Sequence, residues 1–294
     1  MKPLLSLKPT LFGLLTLLSA PALWADIRVT DDVGETLVLE QPAQRIVSLV
    51  PHATEMLFEI GAGDLILATV DYADYPEAAK ALPRVGDYNS LNLEAILALE
   101  PDLLIAFTSG ANRAQVNRLQ ALGYPVFTSD PQTFDEIERT LRQFGELTGR
   151  QRNADSVADA FKADIGHLAE RYGEKRPLSV FYQVWHDPLI TLNGETFISK
   201  VLEVCGGVNV FADLPAPSPQ VSLEAVIDKN PEVIVTGPSD SGEASNWQQW
   251  PQLRAVANDA LIETDPDTLH RPVPGLVTGA TALCEAMDRV REQH

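Results

Sequence analysis

Two cysteines in 294 residues leave this chain without a disulfide framework of the kind that small secreted domains rely on. Basic residues are scarce as well: 22 Lys and Arg stand against 41 Asp and Glu, a formal net charge of −19. So acidic a chain repels nucleic acid and anionic lipid, which excludes functions built on attraction to phosphate. Only five histidines occur, His52, His167, His186, His270 and His294, and none is spaced as in a zinc motif. The motifs GxSxG, GxGxxG and HExxH and the Walker loop are all absent. Close acid pairs such as Asp71 with Asp74, or Asp265 with Asp267, arise by chance among so many carboxylates and are weak signs of acid–base chemistry. Nothing here has the outline of a catalytic centre, and no enzyme is expected.

Long apolar runs are lacking too, except at the N-terminus. MKPLLSLK is a short positive segment, LFGLLTLLSAPAL is apolar but short for a membrane span, and PALWA ends on a small residue before Asp26. Residues 1–25 therefore read as a cleaved secretory signal. Gly13, Thr16, Ser19 and Pro21 interrupt the run, which argues against a retained anchor, and no cysteine lies nearby to carry lipid. Loss of Lys2 and Lys8 with the leader takes the net charge from −19 to −21. In an oxidising compartment Cys205 and Cys284 are expected to pair, two separately buried thiols being the alternative.

What is present is a rhythm. After an edge hairpin expected in the first part of IRVTDDVGETLVLEQPAQRIVSLV, short apolar strands alternate with amphipathic helices: RIVSLV, LILATV, DLLIAF and YPVFTS are strands, while TEMLFEIGAG, NLEAILALE, ANRAQVNRLQALG and TFDEIERTLRQFGELTG are helices. Such alternation predicts a parallel sheet flanked by helices. Residues 150–172 break it with one long helix whose Val157, Phe161, Ile165, Leu168 and Tyr172 share a face. The alternation then resumes with LSVFYQVW, FISKVLEVCGG, SLEAVIDKN and EVIVTG, and closes on a helix over PVPGLVTGATALCEAMDRVREQ. The expected fold class is α/β: two lobes, residues 26–149 and 176–294, each a mainly parallel sheet flanked by helices, joined by one long rigid helix over 150–175.

A phrase recurs across the two lobes. LEAILALEPDLLIAF at 93–107 returns as LEAVIDKNPEVIVTG at 223–237, each preceded by a capping residue, Asn92 or Ser222, and each with Glu at the second helical position. Carboxylates there stabilise a helix start by about 0.3–1 kcal/mol, which by itself accounts for Glu94 and Glu224. A second pattern is the placing of aromatics: VDYADYP, GDYNS, AFTSG and VWHDP set Tyr72, Tyr88, Phe107 and Trp185 at or near the C-terminal ends of expected strands. In open α/β sheets that edge takes ligands. Stiff loops, DLPAPSPQ and DPDTLHRPVP, flank it in the second lobe. Aromatic loops on two facing lobes suit a large, flat, partly apolar ligand.

The stretches RIVSLVPHATEMLFEIGAG, DYADYPEAAKALPRVGDYNSLNLEAILALEPDLLIA, LNGETFISKVLEVCGGVNVFADLPAPSPQVSLEAVIDKNPEVIV and LHRPVP together resemble the periplasmic cobalamin-binding proteins of ABC importers, over residues 45–290. That resemblance implies a monomeric periplasmic carrier with no cofactor of its own. Its cargo, cobalamin or another corrinoid, would pass to a permease dimer driven by ATPase subunits. It implies ligand contacts from Tyr72, from Tyr88 and from the loop of Asp267, Thr268, Leu269, His270 and Arg271, with Phe107, Trp185 and His186 as further aromatic or imidazole contacts. Thr268 and Leu269 stand where bulky aromatics are expected in relatives, and Ser218 where Trp can occur, a departure that bears on which corrinoid is bound. His270 is expected as a hydrogen-bonding contact before an axial ligand of cobalt. The resemblance also implies that Cys205 and Cys284 are bonded and that Glu94 and Glu224 dock on the two permease subunits. A haem or ferric-siderophore carrier is the alternative, with Tyr72 or His270 on iron; the few basic residues in these loops, Arg84 and Arg271 being the main ones, disfavour a strongly anionic siderophore. An exported metal-dependent hydrolase is a more distant one.

Overall fold

The computed structural model describes residues 26–107, 111–237 and 247–293; the expected leader over 1–25 lies outside them. A small antiparallel hairpin, β1 (Ile27–Thr30) with β2 (Thr36–Leu39), opens the chain as expected. The first lobe follows as β3 (Ile46–Ser48), α1 (Pro51–Glu59), β4 (Ile66–Ala68), α2 (Leu93–Ala98), β5 (Leu103–Ala106), α3 (Arg113–Ala121), β6 (Val126–Thr128) and α4 (Phe134–Thr148). The long α5 (Gln151–Tyr172) leads to the second, built from β7 (Leu178–Tyr182), β8 (Trp185–His186), β9 (Leu189–Ile190), α6 (Phe197–Val204), β10 (Gly207–Asn209), α7 (Leu223–Lys229), β11 (Val233–Thr236), α8 (Arg254–Ala257), β12 (Leu261–Glu263), α9 (Pro266–Leu269) and α10 (Leu276–Gln293).

Each lobe centres on a four-stranded parallel sheet, ordered β4-β3-β5-β6 in the first and β10-β7-β11-β12 in the second. In chain order both read second, first, third, fourth, so the halves share one topology. The repeated phrase falls at the same place in each, as the helix that feeds the third strand. Both faces of each sheet are covered, as parallel sheets require. Ile46, Leu103, Ile105 and Phe127 point into the main core while Val47, Leu104, Ala106 and Val126 fill a second cluster behind the sheet. In the second lobe Leu178, Val180, Tyr182, Val233 and Val235 face the main core, and Phe181 and Ile234 pack behind with Trp247.

The main core is continuous from one lobe to the other, and α5 carries it across through buried Ala154, Ala158, Phe161, Ile165, Leu168 and Tyr172. Each large apolar side chain buried along that stripe contributes about 1.5–3 kcal/mol. Packing of α4 on α5 is close: a Cβ at Gly145 would lie 2.4 Å from that of Ala154, so only glycine fits there. Outside the apolar seam Arg142 joins Glu138, Asp155 and Asp159 at 2.7–3.0 Å, tying the two helices together. A connecting helix fused into both lobes in this way restricts the hinge.

Cys205, which ends α6, is bonded to Cys284 in α10, closing a sequence separation of 79 residues. Arg291 supports the same junction by donating to the carbonyls of Cys205 and Gly206. The structure departs from the sequence reading in its short elements. LSVFYQVW is not one strand: β7 ends at Tyr182, the Gln183 side chain turns inward to accept from the Trp247 indole, and a two-residue hairpin, β8 with β9, follows. The loop DPDTLHRP contains α9, with Asp265 accepting from the Asp267 N–H and Pro266 in the first turn.

Candidate functional site

The C-terminal ends of the parallel strands in both sheets converge on a cleft, and a cavity of about 670 Å³ opens between the lobes there. Tyr72, Tyr75 and Lys80 line it from the loop after β4, with Glu55 from α1; Asp267, Thr268 and Arg271 face them from α9 and its exit. Another hollow, of about 450 Å³ between β12 and α10, belongs to one lobe and has no aromatic in its lining, so it does not match the pattern the sequence pointed to.

Large exposed aromatics are the informative observation on such a surface. Tyr72 is 81% exposed and Tyr88 61%, and Tyr75 and Trp185 are about half exposed. They are held in place from below. Arg84 grips the Tyr72 loop, donating to the carbonyls of Val70 and Ala73 at 3.0 and 3.1 Å and to Asp74 at 3.0 Å. Tyr72 itself has φ 65°, a left-handed backbone unusual for a bulky residue. The Tyr88 loop closes on Asp87, whose Oδ1 accepts from the N–H groups of Asn89 and Ser90, bonds that hold its carboxyl below the usual range. In β8 the Trp185 indole donates to the Asp187 carbonyl at 2.9 Å and lies against His186. The Pro-rich loop pairs beside this hairpin, since the N–H groups of Val221, Thr191 and Asn193 reach Leu189, Pro219 and Pro217.

Not every expected contact residue lines the cavity. Tyr72, Asp267, Thr268 and Arg271 meet in it, whereas Tyr88, on its loop, and Trp185 and His186, in β8, stand outside its lining. Phe107 follows β5 directly, is half-buried and meets His52 edge-on. Leu269 is fully buried, because α9 packs onto α10 at Gly279, so it lies beneath the loop. His270 is half-buried, with Nε2 2.8 Å from the Tyr182 hydroxyl. Burial holds the imidazole below its ordinary value and pushes the Tyr182 phenol up to about 12, so both are neutral near pH 7. With Nε2 engaged in this way, His270 is oriented as a hydrogen-bonding group. Among the described residues no cluster of His, Cys, Asp and Glu has the arrangement of a metal site.

The lining also holds Glu55 and Lys80, which the sequence reading did not single out, and Asp74, which it set aside as one of a chance acid pair. A signal for Glu55 was available, since it lies in the apolar run TEMLF on a helix whose neighbours are buried. Glu94 and Glu224 are both exposed at their helix starts, with Asn92 accepting from Ala95 and Ser222 from Ala225. Their surroundings match residue for residue: in each helix the Glu is exposed and the residue two positions on, Ile96 or Val226, is buried. Neither carboxylate has an ion-pair partner among the described residues. Glu224 is held below its ordinary value by its own backbone N–H and by Ser222.

Two like-ordered sheets that open on a common cleft, fused by one long helix, define a two-lobed substrate-binding protein. The chain belongs to the periplasmic binding protein family, whose profile matches residues 46–268. It is 36% identical over 253 residues to a vitamin B12-binding protein of Vibrio cholerae, covering 86% of this chain and 92% of that one. The crystal structure of the periplasmic vitamin B12 binding protein of Vibrio cholerae superposes with a TM-score of 0.79 at 35% identity, covering 85% of this chain and 98% of the other. A periplasmic haem-binding protein from Roseiflexus shares the fold at 25% identity and a TM-score of 0.73, covering 84% and 99%.

Proposed function

We propose that this protein captures cobalamin or a related corrinoid between its lobes in the periplasm and delivers it to an inner-membrane ABC permease. The observation that carries the reading is the set of exposed aromatics, Tyr72, Tyr88 and Trp185, around an inter-lobe cavity at the ligand-taking ends of both sheets. Exposed rings suit the flat corrin faces. Asp267, Thr268, His270 and Arg271 supply polar contacts for the ring's amides, and Phe107 and His186 add contacts at the margin. The names of the vitamin B12-binding relatives support corrinoid over haem, and the engagement of His270 by Tyr182 removes His270 as a free iron ligand. Lobe boundaries at 26–149 and 176–294, a leader over 1–25 and a monomeric carrier without catalysis complete the account.

Delivery falls to Glu94 and Glu224. Equivalent carboxylates on two like-ordered lobes suit two equivalent basic sites on a permease dimer. The test is the double variant Glu94→Ala, Glu224→Ala. Corrinoid affinity is expected to stay within about twofold, a difference under 0.5 kcal/mol, while uptake through the cognate transporter falls severely. Normal uptake by the variant would return both residues to the role of helix-start stabilisers.

A further inference from the structure

Glu55 is a carboxylate buried among apolar neighbours on α1, 3% exposed, yet it lines the inter-lobe cavity. Its Oε2 has no hydrogen-bond partner. The facing cation is Arg271 of the other lobe, whose Nη1 lies 3.6 Å away, beyond hydrogen-bond reach. Arg271 is kept at that distance because its Nε and Nη2 donate to the Asp267 carbonyl at 3.3 and 3.0 Å. Gly275 closes a third side, where a Cβ would sit 3.1 Å from Glu55 Oε1. A buried, incompletely paired carboxylate costs stability, so folding alone does not explain it.

The remaining charges of the lining are already engaged. Asp74 pairs with Arg84 at 3.0 Å and Lys80 with Glu77 at 2.7 Å, while Asp265 caps α9. Arg271 is bonded to a neutral carbonyl but has only loose ion pairs, Glu55 at 3.6 Å and Asp267 at 3.8 Å. It is the cation an anionic ligand would find, and Glu55 stands behind it. We propose that Glu55 is a positioning residue for ligand selection: by offsetting Arg271 it makes the cleft accept a tetrapyrrole bordered by amides and reject one bordered by carboxylates. This rests on the corrinoid reading above and narrows it to amidated corrinoids. Burial pushes the Glu55 carboxyl up to about 7, Arg271 drawing it down and Glu59 and Asp267 raising it. The offset is therefore in place above pH 7 and fades as the pH falls.

Dicyanocobinamide and dicyanocobyrinic acid present similar rings carrying mainly amides or carboxylates, and their dissociation constants, measured at pH 6 and pH 8, form the test. In the wild type the preference for the amidated ring should be larger at pH 8 than at pH 6 by about tenfold, the effect of one charge removed beside the ligand. Glu55→Gln should show the smaller preference at both pH values. Arg271→Gln, which leaves no cation beside Glu55, should bind the carboxylated ring more weakly than the wild type at pH 6, and carries the test should circular dichroism show that Glu55→Gln does not fold. A wild-type preference independent of pH, or a Glu55→Gln variant that titrates like the wild type, overturns the proposal while corrinoid binding stands. Failure of the wild type to bind dicyanocobinamide or cyanocobalamin overturns the corrinoid reading itself and this proposal with it.

Discussion

Replacing Glu55 by Gln should make the ligand-free protein more stable at pH 7.5 than the wild type, although the substitution removes the only inter-lobe charge contact described for α1. His52 and Glu55 lie three residues apart on that helix, both buried, and are linked to folding with opposite sign. Burial lowers the His52 imidazole, bonded through Nε2 to the Ser129 hydroxyl at 2.9 Å, to about 4, while it raises Glu55 to about 7. For His52 the unfolded chain takes up a proton first, so its contribution is complete above about pH 6.5 and is lost as the pH falls towards 4. For Glu55 the unfolded chain loses its proton first, so stability declines as the pH rises from about 4.5 through 7. Each group accounts for about 3 kcal/mol across its window, at 1.36 kcal/mol per pKa unit, and between about pH 4.5 and 6.5 the two oppose each other. Half-buried His270, also held low, adds to the side of His52. Urea unfolding followed by circular dichroism at pH 4.5, 5.5, 6.5 and 7.5 measures this. The wild type should vary little, Glu55→Gln should gain stability with rising pH, and His52→Gln should lose it. Three parallel profiles would refute the reasoning, because they would show that neither group changes its proton affinity on folding.

Other consequences are simpler. Replacing Cys205 and Cys284 by Ala opens a loop of 79 residues, for which chain entropy gives a loss of up to about 4.5 kcal/mol. The variant should melt well below the oxidised wild type, and equal melting temperatures would mean that the Arg291 bonds at the same junction suffice. Converting His270 to Ala should leave the absorbance spectrum of the bound corrinoid unchanged, since Nε2 already faces the Tyr182 hydroxyl; a shifted spectrum would place the imidazole on cobalt. Acid should destabilise the protein further below about pH 4.5, where Glu138, Glu232 and Asp288, all held below the carboxylate range by their basic partners or, for Glu232, first by Ser179, become protonated. A flat acid limb would contradict those pairings.

The parts of this fold that were legible in the sequence are those whose physics is periodic. The stripe on α5 and the alternating strands announce themselves because one face of each must be apolar. Elements of two to four residues, β8, β9, β10, β12 and α9, are too short for a period to register; their positions depend on partners distant in the chain, as Gln183 depends on Trp247. The site divided along the same line. Exposed aromatics at strand ends were readable because of where they fall relative to the sheets. The burial of Leu269 was not legible, because DTLHRP does not reveal which side of its short helix meets α10. Glu55 was overlooked because its significance lies in facing Arg271 across 216 residues of chain. The repeated phrase was legible in the sequence, and the sheet orders add that Glu94 and Glu224 stand at equivalent places in two halves of one topology.

Calorimetric titration of the mature protein with cyanocobalamin, with haemin run in parallel, tests the central claim most directly. The account predicts one site per chain with a dissociation constant below about 10 μM, about −7 kcal/mol, together with much weaker binding of haemin. Saturable binding of haemin with no heat from any corrinoid would contradict it.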